Sequence, residues 1–281
     1  MSTTPADAKP LDRPRALFGE LLTRDQCAGL VVFGAAALAL GVLGLITGDF
    51  TAGFHPVPET TPARTPLAYA GAGLFCLAGL GLWRGRTRRP AAWILGLLYL
   101  AFALCWARRV LAFPLLIGTW LGTAEQLLLA VGAMAAAGAG RDWRTLARLG
   151  QYAFGACEII FGLAHFMSLP ETIAMTPAWL PLGQRFWALA TGAAHLAAGA
   201  ALLIGFLPVI TTRLMALMFA VFGALVWLPV LWDDPTSRFA WGGNAINLAL
   251  IGAALTIGDR LAAKERSSPA SGAIAAHATP I

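Results

Sequence analysis

From residue 28 onward the chain alternates between long apolar runs and short polar breaks. The runs cover 28–48, 66–84, 91–109, 120–139, 150–168, 186–206, 210–231 and 241–258. Each is close to the roughly 20 helical residues that cross a hydrocarbon layer. A backbone in lipid must satisfy its own hydrogen bonds, so the runs predict helices. The expected fold class is therefore all-α, a polytopic membrane protein of about eight spans. No discontinuous span is evident from the pattern. Met1 to Gln26 is polar and lacks the apolar core and cleavage site of a secretory signal. Residues 1–27 are expected to be a cytoplasmic tail. Residues 259–281 end in an Ala-, Ser- and Pro-rich stretch and are expected to be disordered. Between runs, Pro170 to Pro181 is apolar but broken by prolines, which suits the membrane interface, with Trp179 as an anchor. Asp233-Asp234-Pro235 is a plain turn signal.

Composition strengthens this picture. Hydrophobic residues make up 58% of the chain and charged residues 12%, about half the charge of an ordinary soluble domain. The net charge of +6 does not point to nucleic acid, because the basic residues sit in short loops between apolar runs. Fifteen of the 20 Lys and Arg fall on one side of the predicted topology, in both tails and in the loops around Arg84–Arg89, Arg141–Arg148 and Arg213. Only Arg64, Arg108, Arg109, Arg185 and Arg238 fall on the other. The positive-inside rule then places both termini in the cytoplasm of a multi-pass inner (plasma) membrane protein. The bilayer is the first partner implied. Cys27, Cys76, Cys105 and Cys157 form no CxxC and lie in or beside apolar runs, as small hydrophobes do.

The chain also matches itself at an offset of 121 residues without gaps. Phe33-Gly34-Ala35 falls on Phe154-Gly155-Ala156, Trp106 on Trp227, Pro114 on Pro235, Trp120 on Trp241 and Gly122 on Gly243. Two parallel four-helix units are expected, over 28–140 and 149–258, since an even number of spans per copy leaves the copies parallel.

Ionisable groups inside spans are costly and mark candidate sites. Here they are Glu125, Glu158, His165 and His195, with Gln126, Asn244 and Asn247 as uncharged companions. Glu158 and His195 lie on consecutive antiparallel spans at similar depth, so they can share a proton. His165 is two helical turns from Glu158 on the same face. Asn244 and Asn247 share a face of the last span. Under the 121-residue offset Glu158, His165 and His195 fall on Ala37, Gly44 and Leu74, and Asn244 and Asn247 on Thr123 and Gln126. Function is thus expected in the second unit, with Glu158 and His195 as the reacting pair. His165, Trp179, Asn244, Asn247, Glu125 and Gln126 are the candidate ligand contacts. A carboxylate with two imidazoles is also a known metal-ligand set, strained here by the different depths of the two His. No phosphate-binding loop, nucleophile elbow or dinucleotide fingerprint occurs in a suitable context.

Three stretches carry a family resemblance: Phe154 to Phe166, Thr176-Pro-Ala-Trp-Leu-Pro181, and Phe186 to Leu203. They resemble the DoxX-like family of small four-helix membrane proteins over about residues 150–258. In that pattern the first span ends in a His-Phe-like pair, a Pro-Trp-Leu-Pro connection follows, and the second span carries Gly, an acidic residue, then Gly and Leu-Leu. This chain has His195 at the acidic position. The resemblance implies the fold and an association with redox systems, since some members look like the membrane subunit of thiosulfate:quinone oxidoreductase. It implies a quinone or other small lipophile as ligand, and a soluble or membrane redox subunit as partner. Two other readings stay open, a proton-coupled or small-molecule transporter and a structural or assembly protein.

Overall fold

The computed structural model describes residues 28–51, 53–138 and 143–267. Expectations for the N-terminal tail, Arg141 and the chain beyond 267 fall outside the described residues. What is described is all-helical: α1 (Ala28–Thr47), α2 (Arg64–Leu82), α3 (Arg88–Ala112), α4 (Ile117–Ala137), α5 (Trp143–Met167), the short α6 (Leu169–Met175), α7 (Gln184–Ile204), α8 (Pro208–Asp233) and α9 (Arg238–Arg266). Among these, 7 helices are long and apolar enough to cross a membrane by themselves. The eighth is α5 with α6, which bend by 92° at Ser168. Pro170 has no N–H to continue the helix across that point. Leu, Ile, Phe and Trp side chains are exposed all along the outer surface, among them Ile46, Leu77, Leu104 and Leu217. In water such a surface would be a liability, and in lipid it is the expected one. The architecture is that of a multi-pass helical membrane protein.

Three expectations are corrected. The fifth span does not begin at 150 but at Trp143. The last helix does not stop at 258 but runs to Arg266. It is held there by buried Leu261, by Arg260 donating to the Ala136 carbonyl at 3.0 Å, and by the Arg213–Asp259 ion pair at 3.6 Å. And α8 is interrupted by a π-helical turn at Gly223–Trp227. Pro229 follows that turn and cannot donate to the carbonyl one turn back, which weakens the regular ladder there.

Glycine sets how the helices pack. In α1 and α2 a β-carbon at Gly34 would lie 2.7 Å from the Gly79 carbonyl oxygen, and one at Gly41 2.7 Å from that of Ala72. In α5 and α7 the same approaches occur at Gly155 to the Gly199 carbonyl (3.0 Å) and Gly162 to that of Gly192 (2.9 Å). Small residues thus bring each pair of backbones together. The centre of the bundle is α9, which packs on α1, α4, α5 and α8. The packing is reciprocal: α9 lies on α1, while α4 lies on α5. One buried core runs through both halves, from Phe33, Leu95 and Leu128 to Phe154, Leu202 and Ile257.

Candidate functional site

The Gly155, Gly162, Gly192 and Gly199 contacts draw α5 and α7 close enough for buried side chains to meet. Glu158 Oε2 and His195 Nδ1 are 2.6 Å apart, with the residues 0% and 1% exposed. His165 joins them. Its ring centroid is 4.9 Å from that of His195, and its Cβ comes within 2.7 Å of where a β-carbon at Gly192 would stand. Glu158, His165 and His195 thus lie together. The surrounding wall is aromatic: Phe161 meets the His195 ring edge-on at 5.7 Å, and Phe219 and Phe222 lie 6.0 and 6.1 Å from it.

The protons can be placed in part. His165 Nδ1 is 2.8 Å from the Phe161 carbonyl oxygen, which only accepts, so Nδ1 carries the hydrogen and Nε2 is left as an acceptor. Between Glu158 and His195 one proton bridges carboxylate and imidazole. A lone buried charge costs several kcal/mol, on the order of the Born penalty left after relaxation, and the shared proton avoids it. Glu158 Oε1 is buried and has no partner among the described residues. His165 is half-buried, and its chain neighbours Phe166 and Met167 are exposed. The cluster thus runs from a sealed carboxylate to the lipid-facing flank of α5. Among the described residues no three His, Cys, Asp or Glu are grouped to hold a metal ion.

The remaining candidates go elsewhere. Asn247 Nδ2 donates to the Phe219 carbonyl at 2.9 Å, and Asn244 Nδ2 donates to those of Trp227 (2.8 Å) and Ala240 (2.9 Å). Their amide hydrogens therefore brace α8 just before and at the end of its π turn rather than face the imidazoles. Trp179 is 71% exposed after α6. Glu125 is half-buried on α4. Gln126 is fully buried, and neither of its amide atoms has a partner among the described residues.

One residue went unread in the sequence. His55, in the connection between α1 and α2, is 5% exposed and stacks on Phe102 at 3.8 Å and on Phe75 at 5.7 Å. Burial pushes its imidazole down to about 3, so it is neutral. Phe75 in turn meets Tyr99 at 5.3 Å and Phe102 at 6.2 Å, as His195 meets Phe219 and Phe222. The residue of α2 placed like His195 is therefore Phe75, 3% exposed, and not Leu74, which is 39% exposed. With the π turn included, α8 has 26 residues and α3 has 25. The rings of Trp106 and Trp227 then cover Gly122 and Gly243, again 121 apart.

No protein-family model, curated protein or solved structure matches this chain.

Proposed function

We propose that the chain is a redox-associated membrane protein whose second half handles a proton for a small lipophile, a quinone being the class that fits. The observation that carries this reading is the sealed Glu158–His195 hydrogen bond with His165 standing between it and the lipid-facing flank. The fit rests on two groups. His165 Nε2 is left as an acceptor for a ligand hydroxyl, and Glu158 Oε1 is a buried oxygen still without a partner among the described residues. A bound quinone would supply two-electron, two-proton exchange. The chain's own residues do the rest. His165 takes or returns a proton at Nε2, and Glu158 with His195 hold it where water does not reach. An imidazole suits this work, because its ordinary pKa of about 6.5 lies near working pH. Electrons belong to a partner redox subunit, in keeping with the DoxX-like resemblance. The side carrying Arg84–Arg89, Arg144, Arg148 and Arg213 is taken as cytoplasmic.

The scaffold we infer for this site is a tandem pair of four-helix units sharing one core. The paired Gly approaches, the paired Trp-over-Gly contacts and the reciprocal α9–α1 and α4–α5 packing support it. A parallel pair of hydrogen bonds does too, Trp120 Nε1 to the Pro114 carbonyl and Trp241 Nε1 to that of Pro235, both 2.9 Å.

The test is decylubiquinone titrated into the full chain in nanodiscs, read by tryptophan quenching. Saturable binding is expected, weakened at least about tenfold, or 1.4 kcal/mol, by His165→Leu. Absence of saturable binding, or equal binding by His165→Leu, would overturn the reading. A second reading, proton-coupled transport, draws on the π turn of α8 directly after Phe222, since such turns recur where helices must move. Proton flux into liposomes that is lost in Glu158→Gln, without any quinone binding, would favour it.

A further inference from the structure

The first half has its own chemistry, at the end of the bundle where the 48–63 connection meets the last turn of α3. A cavity of about 630 Å³ opens there, lined by the connection and by Cys105, Arg108, Arg109 and Ala112. That volume lies within the roughly 300–1,000 Å³ of small-molecule sites. The connection is anchored. Trp106 Nε1 donates to the Phe54 carbonyl at 2.9 Å, the His55 N–H donates to the Thr51 carbonyl at 2.9 Å, and Phe54 stacks on Phe239 at 5.3 Å.

His55 lines this cavity, and its buried Nε2 has no hydrogen-bond partner. Buried polar atoms are nearly always paired, so an unpaired one at a cavity wall marks a place for a ligand atom. The charges around it are unbalanced. Arg64 pairs with Asp49. Arg108 and Arg109 form no ion pair among the described residues, and the only other carboxylate on the wall is the exposed Glu59. Arginines thus outnumber carboxylates by one. Phe50, Pro56, Val57 and Ala112 make much of the remaining wall apolar.

We propose that this cavity binds a small amphipathic anion, a single anionic group on an apolar body, with Arg108 and Arg109 taking the charge and His55 Nε2 a polar atom. The site is separate from the Glu158–His195 cluster and stands whether or not that cluster handles protons. The anion is either a free organic acid or the headgroup of an anionic lipid.

The experiment titrates 1-naphthoate into the full chain in phosphatidylcholine nanodiscs, with 1-naphthalenemethanol as the neutral control. Saturable binding of naphthoate is expected, with the alcohol at least about tenfold weaker. Arg108→Gln with Arg109→Gln, both at exposed positions, should lower naphthoate affinity by a similar factor. His55→Phe should keep the stacking on Phe102 and lower it severalfold. Equal binding of acid and alcohol, or wild-type affinity in the arginine variant, would overturn the proposal. Nanodiscs containing phosphatidylglycerol separate the two sources. Competition with naphthoate that disappears in the arginine variant assigns the site to a lipid headgroup. Undiminished naphthoate binding assigns it to a free acid.

Discussion

Glu158 and His195 are each other's solvent. Removing one leaves the other buried without a partner, which costs about 3–5 kcal/mol for a broken buried pair. Replacing both with apolar groups of fitting shape removes that cost. Under the tandem pairing proposed above, buried Ala37 and Phe75 stand at the matching places and mark which groups fit. Glu158→Ala alone should therefore lower stability by about 3–5 kcal/mol, whereas Glu158→Ala with His195→Phe should come within about 1.5 kcal/mol of the wild type. Unfolding titrations in mixed micelles read both, and a double variant no better than the single one would contradict the argument. This pair was legible in the sequence because two ionisable residues inside apolar runs have few alternatives to meeting. His55 was not legible. It sits in a connection, Phe54-His55-Pro56, where a polar residue signals nothing, and its burial comes from α3 and α2 aromatics distant in sequence.

At the scale of the helix, length and apolarity located most span ends to within a few residues, because lipid sets one thickness for all of them. They could not locate the π turn, the early start of α5 or the helical stretch after 258. The π turn and that stretch are tied by hydrogen bonds or an ion pair to another element. The π turn is informative because α3 lacks it. α3 reaches from the Phe102–Phe75 contact to the Trp106–Gly122 contact as one regular helix, and α8 makes both equivalent contacts with one more residue. Deletion of Ala224, exposed in the π turn, should turn α8 into a regular helix like α3 and leave a folded, monodisperse protein. Deletion of Leu104, between Phe102 and Trp106 in α3, has no spare residue to absorb. It must rotate one buried aromatic out of place, at several kcal/mol, of the order of about 3–5 for losing a packed aromatic side chain. Thermal unfolding of the two deletions in detergent decides it, and comparable losses in both would refute the insertion account.

Across the whole molecule, one buried core runs from α1 to α9. α9 lies against α1 and α4 against α5, so the helices on either side of residue 140 bury one another. Tight points lie at small residues where α9 meets α1. A β-carbon at Gly252 would lie 2.6 Å from the Phe33 backbone nitrogen and Cα, and one at Gly29 2.5 Å from the Thr256 backbone nitrogen. These neighbours are backbone and cannot rotate aside, so the helices would have to separate. Association in lipid comes from such contacts and not from hydrophobic driving force, because the surrounding chains are equally apolar. Gly252→Ala should therefore weaken the joint between halves by about 1–3 kcal/mol or more, the usual cost of overpacking. Gly73→Ala on α2 has nothing within 4 Å of the new carbon and should be neutral. The same loss should appear as a weaker Glu158–His195 pair only if α9 also positions α5, which it contacts directly. Thermal unfolding together with decylubiquinone affinity separates these effects. A Gly252→Ala protein as stable as Gly73→Ala would show that α9 does not join the halves at this point.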